Sequence, residues 1–150
     1  MKVNNQVAEI QVSYSTTGSE KIRVTSCLDA YDIFLASWSL QTIELHEEFK
    51  ILMLNRANDV LGIYTLSKGG TSGTVVDTKL LFAVSLKCNA SSIILCHNHP
   101  SGNLTPSEPD KKITDRVKNV AELLEIKMLD HIIITAHNGY YSFSENGLLS

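Results

Sequence analysis

The stretch SSIILCHNH, residues 91–99, constrains the fold more than any other part of the chain. Its apolar run falls far short of the ~20 residues of a membrane span. It carries β-branched residues and gives way abruptly to polar ones, so it reads as a short, buried, rigid strand. The rest of the chain supplies the sheet and the helices that such a strand requires.

Upstream, VAEIQVSYS (residues 7–15) alternates and is expected to be a strand. TSCLDAYDIFLASW is expected to be a helix with Ser26 as its cap and Asp29 three residues on. FKILMLNRANDVLGIYTLS reads as two strands around a turn near residues 55–59, and KGGTSGT (residues 68–74) as a glycine-rich connection. That connection follows no clear strand-to-helix turn and lacks the lysine of a phosphate-binding loop, so a tight connection near the site is expected. DTKLLFAVSLKCN predicts a helix capped by Asp77, with Leu80, Leu81, Val84 and Cys88 as its apolar stripe.

After the central run comes a loop, then a third helix whose stripe is Ile113, Val117, Val120, Ala121 and Leu124. The chain closes with strand MLDHIIIT, an Asn138-Gly139 turn and strand YYSFS. No repeat, low-complexity tract or linker interrupts the 150 residues, so one domain spanning 1–150 is expected. Its fold class is α/β or α+β, a mixed sheet flanked by helices. The motif-bearing core covers about 43–146, preceded by the strand and helix within 1–42.

Charge and cysteine usage exclude some functions. The net charge of −3 is unlike that of a domain built mainly to hold nucleic acid. Three cysteines without CxxC spacing read as free core thiols in a reducing compartment. With no signal-peptide apolar region and no membrane-spanning run, a cytoplasmic location is expected. The strings Asn89-Ala-Ser and Asn103-Leu-Thr therefore carry no weight as glycosylation sites.

His97 and His99 sit two residues apart at the end of the strand. Residues i and i+2 share a strand face about 6.6–6.8 Å apart, so two imidazoles can converge beyond its end. Pro100, Gly102, Pro106 and Pro109 then punctuate a loop. Ser107 has the residue type of a helix N-cap and Asp110 falls at its N3 position. Helix capping explains Asp110 well by itself. If the loop instead folds back, two histidines and one carboxylate form a three-ligand set that suits zinc and leaves a fourth position for water.

The string H-x-H-x7-S-x2-D, here His97, His99, Ser107 and Asp110, resembles the JAMM motif of the JAB/MPN metalloenzymes. More closely, HNHPSGNLTPSEPD, with NASSIILC before it and LDHIIIT…GYYSF after it, resembles the RadC family. The similarity reaches back through EEFKILMLNRANDVLG, at least from Glu47 to Phe143. The resemblance implies a JAB/MPN fold of cytidine-deaminase-like architecture. It also implies one zinc per chain, held by His97, His99 and Asp110. Ser107 would help stabilise an oxyanion, and a glutamate would take a proton from metal-bound water. Glu44, Glu47 and Glu48 are near enough in sequence to be that base. Strand parity groups Glu47 with Phe49, Ile51 and Met53, an apolar face on which partial burial would make it a better base. The E-x-F spacing of the family also selects Glu47.

Asn98 and Ser101 are expected to tune the site by hydrogen bonds to its ligands. His131 is expected at the core or an edge without a direct metal role, His46 and His137 in loops or on the surface, and Cys96 in the core. The letters HNH do not indicate an HNH nuclease, whose named residues are spread through a ββα unit. The implied function is zinc-dependent hydrolysis of an amide, peptide or isopeptide bond, on a peptide or protein substrate that is not specified. Two other readings stand beside it. One is a DNA-associated RadC-type module, which the acidic balance does not support. Longer RadC proteins carry a DNA-binding-like helical region, whereas the 46 residues before Glu47 read as one strand and one helix. The other is a non-catalytic MPN scaffold, against which the complete ligand set counts. No membrane association is expected, and a dimer is compatible with the sequence.

Overall fold

The computed structural model describes residues 6–16, 18, 20–69 and 75–149. Helix α1 (Cys27–Ser37) begins where the Ser26 hydroxyl accepts the Asp29 N–H. Strands β1 (Glu48–Leu54) and β2 (Val60–Lys68) form a hairpin. In its turn, Asn55 Oδ1 accepts the N–H groups of Ala57 and Asp59. Helix α2 (Thr78–Lys87) starts at Asp77, whose carboxylate accepts the Leu80 N–H. Strand β3 (Ser92–Asn98), helix α3 (Glu108–Leu123), strand β4 (Lys127–Ile134) and the short strand β5 (Tyr140–Ser142) complete the order.

The five strands form one mixed sheet in the order β2-β1-β3-β4-β5. Only β3 and β4 pair in parallel, and α3 provides the crossover that such a pair requires. β3 lies at the centre and every one of its residues is buried. The two faces of the sheet are filled separately. Phe49, Ile51, Met53, Ile93 and Leu95 pack with Leu81 and Phe82 of α2 and Val117 and Ala121 of α3. Leu52, Leu54, Ile94, Cys96, Ile132 and Ile134 pack with Ala30 and Phe34 of α1 and with Trp38. This is the mixed α/β class expected from the pattern of runs.

One expectation needs correction. Residues 7–15 form no strand and are exposed throughout. Their alternation supplies an apolar face, but no strand ladder pairs with it, and Val7, Ile10 and Val12 stay in solvent. On α2 the expected stripe of Leu80, Leu81, Val84 and Cys88 packs on the core, and Phe82 and Ser85 are buried alongside it. Ser85 tolerates this because its hydroxyl donates to the Leu81 carbonyl one turn back. The glycine-rich connection lies, for residues 70–74, outside the described residues. No described helix is long and apolar enough to cross a membrane.

Candidate metal centre

The site is built where the C-terminal end of β3 meets the start of α3. By strand parity His97 follows Ile93 and Leu95 on the face covered by α2 and α3. It pairs in register with Phe49, and the two rings stack with centroids 5.8 Å apart. Only 2% of the His97 side chain is exposed, against 12% for His99. His99 lies just past the strand, where its N–H still donates to the Ile134 carbonyl at 3.0 Å.

The loop after His99 then reverses. Gly102 N–H returns to the His99 carbonyl at 3.0 Å. Gly102 has φ of +84°, which favours glycine, and a Cβ there would crowd the Asn138 side-chain amide at 3.1 Å. Ser101 Oγ accepts the Asn103 N–H, and the Asn103 carbonyl sits 2.6 Å from His99 Nδ1. Ser107 and Asp110 form a reciprocal capping box. The Ser107 hydroxyl accepts the Asp110 N–H at 3.1 Å, and Asp110 Oδ2 accepts the Ser107 N–H at 2.8 Å.

That box leaves the Asp110 carboxylate facing the two histidines. Its Oδ1 is 3.2 Å from His97 Nε2 and its Oδ2 is 3.2 Å from His99 Nε2. The two Nε2 atoms are 3.0 Å apart. Ligands about 2.0–2.1 Å from a tetrahedral zinc are separated by about 3.3 Å, so this triangle has the size of one face of such a site. Its donors, two imidazoles and a carboxylate, have the chemistry of a three-ligand zinc site with an open position. Among the described residues this is the one group of histidine, cysteine and acidic side chains arranged to hold a metal ion. Burial opposes charge on Asp110, but its contacts with His97 and His99 prevail and hold its carboxyl far below the usual range. Burial likewise opposes charge on His99, but its bond to Asp110 and then its bond to the Asn103 carbonyl raise its pKa.

Glu47 immediately precedes β1 and is half-buried. It lines a cleft of about 280 Å³ together with Phe49, His97, Asp110 and Ile113. It also lines an adjoining cleft with His99 and Ser107. Its charge is among the influences that raise the His99 pKa. Glu48 faces the other way and is buried more deeply than Glu47, at 5% exposure, with Lys68 at 3.8 Å. Parity therefore separates the two glutamates as expected and puts Glu47 on the side of the cluster, whereas the burial argument does not distinguish it, since Glu48 is the more buried of the two. Glu44 is exposed and pairs with His137 at 3.0 Å. Ser107 is exposed, and its hydroxyl oxygen is held by the cap.

Neither Asn98 nor Ser101 bonds a ligand of the cluster through its side chain. Asn98 faces the α1 side, where Oδ1 accepts the Glu48 N–H at 2.7 Å. Its Nδ2 donates to the carbonyls of Ile43 at 2.8 Å and His46 at 3.0 Å. It therefore grips the backbone on both sides of Glu47. Ser101 supports the Asn103 turn under His99. His46 lies in a turn, and Cys96 is core. His131 belongs to the core but touches the cluster, with Nε2 2.8 Å from His97 Nδ1. Thr114 Oγ1 is 2.6 Å from His131 Nδ1 and donates to the Asp110 carbonyl at 2.7 Å. Thr114 was legible as a neighbour of Asp110, since it lies four residues on along the same helix face.

The profile of the RadC-like JAB domain matches residues 24–148. A UPF0758 protein of Flavobacterium johnsoniae is 48% identical over 129 residues, covering 84% of this chain and 53% of its own length. One from Porphyromonas gingivalis is 36% identical, covering 95% of this chain and 63% of its own. The UPF0758 protein YfjY of Escherichia coli is 43% identical over 103 residues, covering 69% of this chain and 64% of its own. The chain thus spans roughly half to two thirds of the length of these curated relatives. With the profile matching most of its length and the His-x-His strand end and capped Asp110 in one cluster, the chain belongs to the RadC-like JAB domain family.

Proposed function

We propose that this chain hydrolyses an amide bond, peptide or isopeptide, at a single zinc ion held by His97, His99 and Asp110. The observation that carries the reading is the convergence of His97 Nε2, His99 Nε2 and the Asp110 carboxylate at 3.0–3.2 Å beside a cleft walled by Glu47. When bound there, zinc would lower the pKa of a water and polarise the scissile carbonyl.

The chain's own groups do the rest. Glu47 takes the proton as the water oxygen adds to the carbonyl carbon, then returns it to the nitrogen as the C–N bond breaks. The Ser107 oxygen already accepts the Asp110 N–H, so its own hydrogen is free to point at the oxyanion. Phe49, Val76 and Ile113 form the apolar wall against which a side chain flanking the scissile bond would rest.

The test begins with metal analysis of protein purified without chelator, for which about one zinc per chain is expected. Zinc retained equally by a His97→Ala, His99→Ala double variant would remove the ligand assignment. With a cleavable peptide or isopeptide-linked substrate in hand, Glu47→Gln should keep its zinc and lose about 10²–10⁴-fold in turnover. Turnover equal to wild type would remove Glu47 as the base.

A further inference from the structure

The hydrogen bonds behind the cluster fix more than the position of its rings. The Thr114 hydroxyl has one proton, and it lies 2.7 Å from the Asp110 carbonyl, which can only accept. Thr114 Oγ1 must therefore act as an acceptor toward His131 Nδ1, 2.6 Å away, so His131 carries its proton on Nδ1. The His131 ring is fully buried and bonds no carboxylate, and with its one proton on Nδ1 the neutral ring presents Nε2 as a bare acceptor. His97 Nδ1, 2.8 Å from that bare nitrogen, must then donate.

We infer that Thr114 and His131 are positioning residues, a two-member relay that locks His97 in the Nδ1–H tautomer and thereby turns its Nε2 lone pair toward the metal centre. His99 has a separate partner behind its ring, the Asn103 carbonyl 2.6 Å from Nδ1, which would accept that N–H whenever Nε2 holds a metal. The relay begins and ends on the cluster. Thr114 takes its orientation from the backbone of one ligand, Asp110, and passes it through His131 to another, His97. Assembly of the α3 start therefore prepares the strand-end ligand.

The inference rests on the zinc-site reading for its purpose but not for its test. Thr114→Val removes the acceptor at nearly constant shape. His131 is then free to carry its proton on Nε2 and donate to His97 Nδ1, which would place the His97 proton on the nitrogen that must bind metal. Thr114→Ser keeps the hydroxyl. The first readout is nitrogen NMR of metal-free protein, at a pH where the imidazoles are neutral. Wild type and Thr114→Ser should show His97 protonated on Nδ1, and Thr114→Val should lose that signature. The second readout is zinc affinity by competition with a chromophoric chelator. Thr114→Val should bind about 10–100-fold more weakly and Thr114→Ser close to wild type. Wild-type His97 protonated on Nε2 in the metal-free state overturns the relay, even if Thr114→Val does not fold. An unchanged His97 signature in folded Thr114→Val overturns it too. The expected tautomers without zinc binding by any form would support the relay and remove the zinc reading instead.

Discussion

At the scale of single residues, Asn98 separates two jobs that its neighbours share. His97 and His99 face the cluster, whereas the Asn98 amide uses both its N–H groups and its oxygen on the opposite face. Asn98→Ala would leave the Glu48 N–H and the two carbonyls without that partner in a buried setting. A loss of at least about 1–3 kcal/mol in urea unfolding is expected. Zinc binding should persist, because no ligand bonds the amide, while turnover falls as Glu47 loses its brace. Proton competition is a second residue-level consequence. Asp110 stays ionised throughout, so protons compete with metal at the imidazoles. A raised His99 pKa stabilises the metal-free fold at low pH, and that contribution is lost as pH rises through the folded value. Metal needs the neutral ring and so runs the other way. Affinity should fall about tenfold per pH unit for each proton displaced, starting above the ordinary histidine range. An affinity flat across that range would contradict it. Roles such as that of Asn98 were not legible in the sequence, because its partners lie 50 to 55 residues away. Nearness along the chain pointed instead to bonds with the ligands, whereas the strand's alternation turns the side chain to the opposite face.

At the scale of elements, the start of α3 serves as a helix cap and supplies Asp110, one of the three groups of the candidate metal cluster. The S-x-x-D pattern was fully legible, because a capping box is a local arrangement closed within four residues. The same holds for the Ser26 and Asp77 caps. The expected strand at residues 7–15 failed for the converse reason. Alternation describes a strand's faces, but only pairing makes a strand, and pairing is not local. The two roles of Ser107 separate by substitution. Ser107→Ala should cost about 1 kcal/mol through the lost cap, whereas Ser107→Gly should cost only a few tenths. Both remove the hydroxyl, so both should lose about 10²–10³-fold in turnover if that group stabilises the oxyanion. Turnover that tracked stability, falling for alanine but not for glycine, would leave Ser107 as a cap alone.

At the scale of the whole molecule, the site joins two elements that the cores already hold. β3 is packed on both faces, and α3 is anchored by Thr114, Val117 and Ala121. Phe49 stacks on His97, but most of this packing, Leu81, Ile93, Leu95, Val117 and Ala121 among it, involves no residue of the cluster at the sheet's end. Zinc should therefore add to a fold that exists without it, unlike small domains that unfold when their metal is removed. Binding to the folded chain alone stabilises by RT ln(1 + [L]/Kd), about 2.7 kcal/mol at a free concentration one hundred times Kd. For a chain of 150 residues, where each kcal/mol moves Tm by roughly 2–4 °C, that corresponds to an upward shift of about 5–10 °C. A chelator should reverse the shift and leave a cooperative transition behind. His99→Ala should unfold near the metal-free temperature and show no response to zinc. Loss of the cooperative transition on chelation would mean that the ion holds the fold together. A His99→Ala chain that still responded to zinc would place the ion elsewhere. Thermal scans of the two proteins, each with zinc and with chelator, distinguish these cases, because only a metal held between β3 and α3 makes the shift depend on His99 and leaves the metal-free fold intact.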